Sequence, residues 1–336
     1  MTGLSLLQGA QAQNNLSSNY ATVFIYHRFG DPRYPTTSVS MEDFEKELKY
    51  IKTNGYRPLT VKQLYEIVSS GKPIPPKTVV ITVDDGYRTT YKAFKLLKKY
   101  GVPATVFLYM EAVGRYPDFL TKEQIKEMEE SGLIEFENHL YSHPNLGLLR
   151  LKLPKEKYLK LLERENRLSV KRFEELFGRK PEFLAFPYGD YDKLSVAFFK
   201  RAGYKLLFTQ DRGSYSGKGI LVPRMAIVGS QSGFKKFVKD LQVEPLPVKS
   251  HRPDYGVLKR NGVVVKFFID FPQDYGNCAV YASKLGWRRA KKEGNEISSA
   301  EKLYFVKRKT RVGVRCYDKK SGRKAEFFFL TLVKKR

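Results

Sequence analysis

The sequence predicts an α/β chain: parallel strands with helices outside them, the sheet open or closed into a barrel, followed by a small, strongly basic all-β module. Three observations predict it. From about residue 20 to residue 241, short apolar runs alternate with amphipathic segments. After a proline-bearing stretch at 244–254, strand-like runs are separated instead by Asn-Gly, Gly-Asn and Lys-Ser-Gly turns. The charge is also unevenly shared: residues 247–336 carry 23 basic and 8 acidic side chains, net +15, against 38 and 27, net +11, in the first 246.

The elements follow in order. Met1–Gln13 resembles the tail of a secretory signal ending in the small-residue Ala10-Gln11-Ala12 site, although it lacks a basic n-region. Residues 1–19 are therefore set apart as signal-like or disordered, and export is expected. The apolar runs 22–26, 78–83, 104–108, 134–136, 183–186, 205–208 and 220–228 are too short for buried helices. They are rich in Val, Ile, Phe and Thr, which argues strand. Helices are expected at 41–52, capped by Ser40 with Asp43 and closed by Gly55, and at 122–130, where Thr121 and Gln124 form a capping box. Two more are expected at 154–177 and 192–202. The expected modules are 20–243, a linker at 244–254, and an all-β domain at 255–336 with strands at 263–269, 279–282, 302–306, 311–316 and 325–333.

Composition bounds the possibilities. The 336 residues are 42% hydrophobic and 14% aromatic, enough to fill a core, so wholesale disorder is excluded. No apolar run reaches 18 residues, so no transmembrane helix is expected. The net charge of +26 points to an anionic partner such as nucleic acid, phospholipid or an acidic polymer. Two cysteines, Cys278 and Cys316, are too few for a thiolate zinc site; they are either buried free thiols or, in an exported chain, one disulfide.

Two clusters carry chemistry. The run 80–86 drives a buried strand into Asp84, Asp85 and Gly86, and carboxylates at the C-terminal end of a core strand lie where active sites form. Adjacent like charges push their pKa values apart unless a metal neutralises one. His139 and His143, two of only four histidines, are four residues apart, so one turn puts both on the same side. Together with Asp85 they make a two-His, one-carboxylate set with open positions. Zn²⁺ suits such a set, with Co²⁺, Ni²⁺ or Mn²⁺ as alternatives. Asp84 is then left to act as a base toward water.

These residues carry a resemblance. Thr82-Val83-Asp84-Asp85-Gly86, the run Asn138 to Pro144, and Phe186-Pro187-Tyr188-Gly189 resemble the first three motifs of polysaccharide deacetylases of carbohydrate esterase family 4, the NodB-homology domain. The resemblance covers roughly residues 20–241 and implies a distorted (β/α)7-type barrel. It implies Asp84 as general base, Asp85, His139 and His143 as metal ligands, and Tyr188 as an oxyanion donor through its N–H, with Tyr188 and Pro187 against the substrate. The family's closing Leu-x-His is absent, and His251 lacks the preceding Leu. Phe24-Ile25-Tyr26-His27 is similar instead to the subgroup acting on poly-N-acetylglucosamine of biofilm matrix, which implies His27 as general acid. Leu140 stands where the family has Ser or Thr, and Ala185 where it commonly has an Arg that pairs with the base; Arg224 is the expected substitute.

The implied reaction is metal-dependent hydrolysis of N-acetyl groups on a GlcNAc polymer (poly-β-1,6-GlcNAc, peptidoglycan or chitin-like) to acetate and glucosamine. An inactive scaffold of the same fold, a glycosidase using paired carboxylates, and a nucleic-acid binder are the rivals. The basic runs 288–292 and 307–311 are expected to be solvated sheet edges. The β-module is expected to dock on an anionic envelope surface rather than on specific nucleic acid.

Overall fold

The computed structural model describes residues 19–334, so the expected export signal lies outside the described residues. The first sheet is organised around Thr78–Asp85, an eight-residue strand buried along its whole length. Ala21–Tyr26 pairs with it on one side and Ala104–Leu108 on the other, both in parallel. The sheet continues, always parallel, through Ile134–Asn138, Phe183–Ala185, Leu206–Phe208 and Leu221–Val222. Met225–Ala226 then pairs beside Ala21–Tyr26, at the opposite edge. The chain therefore steps from one margin of the sheet to the other within residues 221–226 and closes it into the expected distorted barrel. The expected strand at 220–228 is thus two short ones, broken where Pro223 and Arg224 make the crossing.

The helices form for the reasons anticipated. The Ser40 hydroxyl accepts the Asp43 N–H, and Phe44, Leu48 and Ile51 are buried along one face of Met41–Thr53. Thr121 and Gln124 make the reciprocal capping box of Lys122–Glu130. Lys155–Phe177 buries Tyr158, Leu162, Glu165, Ser169 and Phe173 along one stripe and stops at left-handed Gly178. Helices at Val61–Ser69, Thr90–Tyr100 and Leu146–Lys152 were not expected. The first two bury narrow stripes (Val61 and Leu64; Ala93, Phe94 and Leu97) among Lys and Tyr, so tertiary packing settles what weak periodicity leaves open.

The C-terminal module is one nine-stranded sheet. Its two ends meet: the His251 ring, on the strand Val248–Arg252 at one edge, lies 4.0 Å from Phe329, on Lys324–Leu332 next to the other. The sheet therefore encloses its own core, built on Phe267, Val280, Ile297, Val314 and Phe329. Residues 244–254 are not a free linker. Glu244–Pro245 pairs with Ala325–Glu326, and Val248–Arg252 pairs with Lys266–Ile269. Both are edge strands, where a proline's missing N–H removes nothing the sheet needs. In the first basic run Arg288 and Arg289 pair only with Val280 and Ala279, and Lys291 and Lys292 only with Ser298 and Ile297, so each half keeps one unpaired side; in the second, residues 309–311 pair with 330–332. The expected strand at 302–306 reduces to a single bridge between Val263 and Leu303. Cys278 and Cys316 form a disulfide across adjacent strands, which excludes the free-thiol alternative.

The two modules share a core. Leu330 and Leu332 join the cluster that contains Leu140, Leu146, Phe186 and Tyr191. At the same boundary Arg212 donates to Glu326 at 2.7 Å and to Asp240 at 2.6 Å.

A buried acid gives the barrel a pH dependence. Glu47 is fully buried; it accepts a hydrogen bond from the Tyr26 hydroxyl at 2.8 Å, and its other oxygen has no partner. Burial pushes its pKa from 4.5 up to about 8. A folded-state pKa above the unfolded one stabilises fully below the lower value and loses that contribution as pH rises through the higher one. Glu47→Gln should therefore gain stability relative to wild type as pH climbs from about 5 to about 8, by up to about 1.4 kcal/mol per pH unit. Urea unfolding of both proteins across that range checks it; a constant difference would refute it.

Candidate active site

Every candidate residue read from the sequence lies at the C-terminal end of the parallel strands or in the loop just beyond. Asp84 and Asp85 end Thr78–Asp85, His139 and His143 follow Ile134–Asn138, and His27 follows Ala21–Tyr26. Pro187 and Tyr188 lie in the turn after Phe183–Ala185, and Arg224 sits in the barrel-closing crossing.

Asp85, His139 and His143 converge. Their ligating atoms all lie within 4.8 Å of one another. Asp85 Oδ1 is 3.3 Å from His139 Nε2 and 3.1 Å from His143 Nε2. The His139 Nδ1–H donates to the Ala185 carbonyl at 2.7 Å, which leaves Nε2 to face the carboxylates. Neither that Nε2 nor Asp85 Oδ1 has a hydrogen-bond partner, although both are buried. Burial alone would lower the His139 pKa, but Asp84 and Asp85 outweigh it and raise it. Asp85 Oδ1 and the Nε2 atoms of His139 and His143, gathered beside carboxylates that attract positive charge, fit a divalent cation.

Asp84 is held differently. Both its oxygens accept from the Arg224 guanidinium, at 2.7 and 2.8 Å, and both side chains are completely buried. Burial pushes the Asp84 pKa up, but Arg224, with His139 and His27 nearby, overcomes this and leaves it below the ordinary value. Arg224 also donates to the Thr209 carbonyl and to the Thr82 hydroxyl. Ala185 offers no guanidinium, and the one that pairs with Asp84 is Arg224, arriving from the crossing. His27 is half-buried beside this group. Burial lowers its pKa against the pull of Asp85 and Asp84, and its Nδ1 has no partner.

The loops are braced by groups the sequence did not single out. Glu165 accepts the N–H groups of Tyr141 and Ser142 and the Ser142 hydroxyl, and Asn138 Oδ1 accepts the Leu140 N–H. These bonds supply the bracing that Leu140 cannot; its side chain is instead fully buried in the core shared by the two modules. A carboxylate in the apolar stripe of Lys155–Phe177 was the available signal for Glu165. Tyr188 is 46% exposed, its ring centroid 4.6 Å from that of His143. Asp85, Leu140, His143 and Tyr188 all adopt left-handed backbone, with φ between 51° and 72°. His251 lies within the C-terminal sheet, its Nδ1 bonded to the Pro253 carbonyl, away from these groups.

Known proteins resemble this chain. A family model described as polysaccharide deacetylase matches residues 71–207. The Bacillus subtilis (strain 168) protein YxkH is 30% identical over 195 residues, covering 58% of this chain and 66% of its own. A poly-beta-1,6-N-acetyl-D-glucosamine N-deacetylase of Staphylococcus aureus (strain MRSA252) is 32% identical over 235 residues, covering 66% and 78%. Among solved structures, IcaB from Ammonifex degensii superposes with a TM-score of 0.59 at 25% identity, over 66% of this chain and 97% of that one. The Streptococcus pyogenes deacetylase PplD superposes with a TM-score of 0.58 at 22% identity, over 66% and 98%.

The buried ion pair sets an expectation for stability. Arg224→Gln leaves the Asp84 carboxylate buried without its counter-charge and should cost about 3–5 kcal/mol. Adding Asp84→Asn should recover most of that loss, because both members are then neutral. Denaturant unfolding of the two single variants and the double variant checks this; additive losses would contradict it.

Proposed function

The chain belongs to the polysaccharide deacetylase family, and from that membership we propose that it is a metal-dependent hydrolase removing N-acetyl groups from an N-acetylglucosamine polymer. Poly-β-1,6-N-acetylglucosamine is the proposed substrate. The observation that carries the proposal is the convergence of Asp85, His139 and His143 beside an Asp84 carboxylate fixed by Arg224. The choice of polymer is supported by the likeness to enzymes named for that substrate and by His27 at the end of the first strand.

Asp85, His139 and His143 would hold the metal, Zn²⁺ being suited to two imidazoles and one carboxylate. When bound, it would supply Lewis-acid polarisation of the acetamide carbonyl and acidify water. Asp84 takes the proton from the attacking water. Arg224 keeps its oxygens fixed and its proton affinity low, so the carboxylate is ionised at the start of the reaction. The Tyr188 N–H donates to the oxygen on which negative charge develops. His27 gives a proton to the departing amine nitrogen. The C–N bond breaks, water supplies the new C–O bond, and acetate and glucosamine result.

Export and an anionic surface partner complete the proposal. A disulfide between adjacent strands suits an oxidising compartment. Arg288, Arg289, Lys291 and Lys292 are all exposed on one strand and would attract anionic envelope groups, with binding that weakens as salt rises.

Acetate release should be measured on poly-β-1,6-N-acetylglucosamine, chitooligosaccharides and peptidoglycan, with metal analysis of the same samples. Release from the first should exceed the others. Asp84→Asn should retain metal and lose on the order of 100-fold or more in kcat. Wild-type activity in that variant would overturn the mechanism, and metal-loaded protein inert on all three polymers would overturn the function.

A further inference from the structure

The turn that carries Tyr188 is not held by the barrel alone. Its carbonyls at Tyr188 and Gly189 accept from Arg311 Nη2, at 3.3 and 2.9 Å, and Arg311 belongs to the C-terminal strand Lys309–Asp318. The same guanidinium pairs through Nε with Asp211 at 3.0 Å. Asp211 accepts the Tyr191 hydroxyl hydrogen at 2.6 Å, and that hydroxyl oxygen in turn accepts the Leu330 N–H. Two positions earlier on the strand, and so on the same face, Lys309 pairs with the buried Asp190 at 2.8 Å and lies 5.1 Å from the Tyr188 ring centroid. The barrel's own grip is tight but local: at Gly189, with φ of +61°, an added Cβ would meet the Gln210 backbone N at 2.6 Å.

Arg311 thereby ties together two turns that flank the chemistry. One presents the Tyr188 N–H. The other, through the Asp211 carbonyl, accepts the backbone N–H of Arg224, which fixes Asp84. We propose that Arg311, with Lys309 beside it, is a positioning residue for the Tyr188 turn, so that the β-module completes the active site instead of serving only as an attachment domain. Both cations fall within the run 307–311, expected to be a solvated edge. Their ion pairs with Asp190 and Asp211, both buried, remove them from the charge offered to any outside partner. The inference rests on the deacetylase reading for its catalytic consequence, and on geometry alone for the anchoring.

Two readouts on the full chain test it. Hydrogen exchange reports the anchoring without substrate. In Arg311→Ala the peptide spanning 183–192 should exchange about tenfold faster, with peptides 78–86 and 137–144 unchanged. Because Arg311→Ala also leaves Asp211 without its cation, Arg311→Ala/Asp211→Asn and Lys309→Met are measured beside it. Kinetics on poly-β-1,6-N-acetylglucosamine report the consequence. Loss of aim at an oxyanion donor should lower kcat on the order of 10-fold to 100-fold with KM within about threefold. Zn²⁺ affinity by calorimetry should stay within about twofold, since no ligand is touched. Arg311→Lys keeps the charge but not the fork and should recover stability more than kcat. Exchange unchanged at 183–192, or accelerated evenly through the chain, overturns the positioning role, as does kcat within about twofold of wild type. If wild type itself releases no acetate, the deacetylase reading fails, and the exchange data still decide whether Arg311 anchors the turn.

Discussion

The ion pair between Arg224 and Asp84 is the constraint on which the rest depends. A carboxylate removed entirely from water must be neutralised or paired, and here it is paired by a guanidinium equally buried. To bring that guanidinium to the end of Thr78–Asp85, the chain has to cross from Leu221–Val222 to Met225–Ala226 and close the barrel. Closure and charge pairing are one event. The barrel supplies the low-dielectric cavity in which the pair is strong, and the pair accounts for a crossing that two-residue strands would hold only weakly.

Much of this was legible in the residues themselves. Short runs rich in Val, Ile, Phe and Thr placed strands at 78–83 and 104–108 with the acidic pair at a strand end, and the four-residue spacing put His139 and His143 together. Capping residues located Met41–Thr53 and Lys122–Glu130. What stayed hidden was non-local. Arg311 lies 122 positions from Gly189, so no window of sequence joins them. Glu165 was concealed because a carboxylate in a helix is read as solvated until its partners, the Tyr141 and Ser142 amides, are placed. Prolines at 245, 247 and 253 suggested a linker because composition cannot tell an edge strand from a tether.

The second module also changes how the charge of +26 is understood. Composition treats every lysine and arginine as available to a partner. In the fold, Arg212, Lys309 and Arg311 are used internally, joining the modules through Glu326, Asp190 and Asp211. Other lysines and arginines stay exposed, among them Arg288, Arg289, Lys291 and Lys292 on Gly286–Glu293. One population of cations is structural glue; the other is field.

The left-handed residues around the site have a consequence for how such a protein can change. Of the eight non-glycine residues with positive φ among those described, four are Asp85, Leu140, His143 and Tyr188. Glycine would relax the backbone at each, a gain on the order of 1 kcal/mol per position. At Asp85, His143 and Tyr188 it would also delete a side chain that bounds the reaction centre, and at Leu140 a piece of the shared core. At Asp85, His143 and Tyr188, selection for stability and selection for chemistry therefore pull in opposite directions, whereas at Leu140 the packing loss outweighs the backbone relief. A lineage that abandoned catalysis and kept the fold would be free to accept glycine at those three positions first, so three codons would record the loss before the core did.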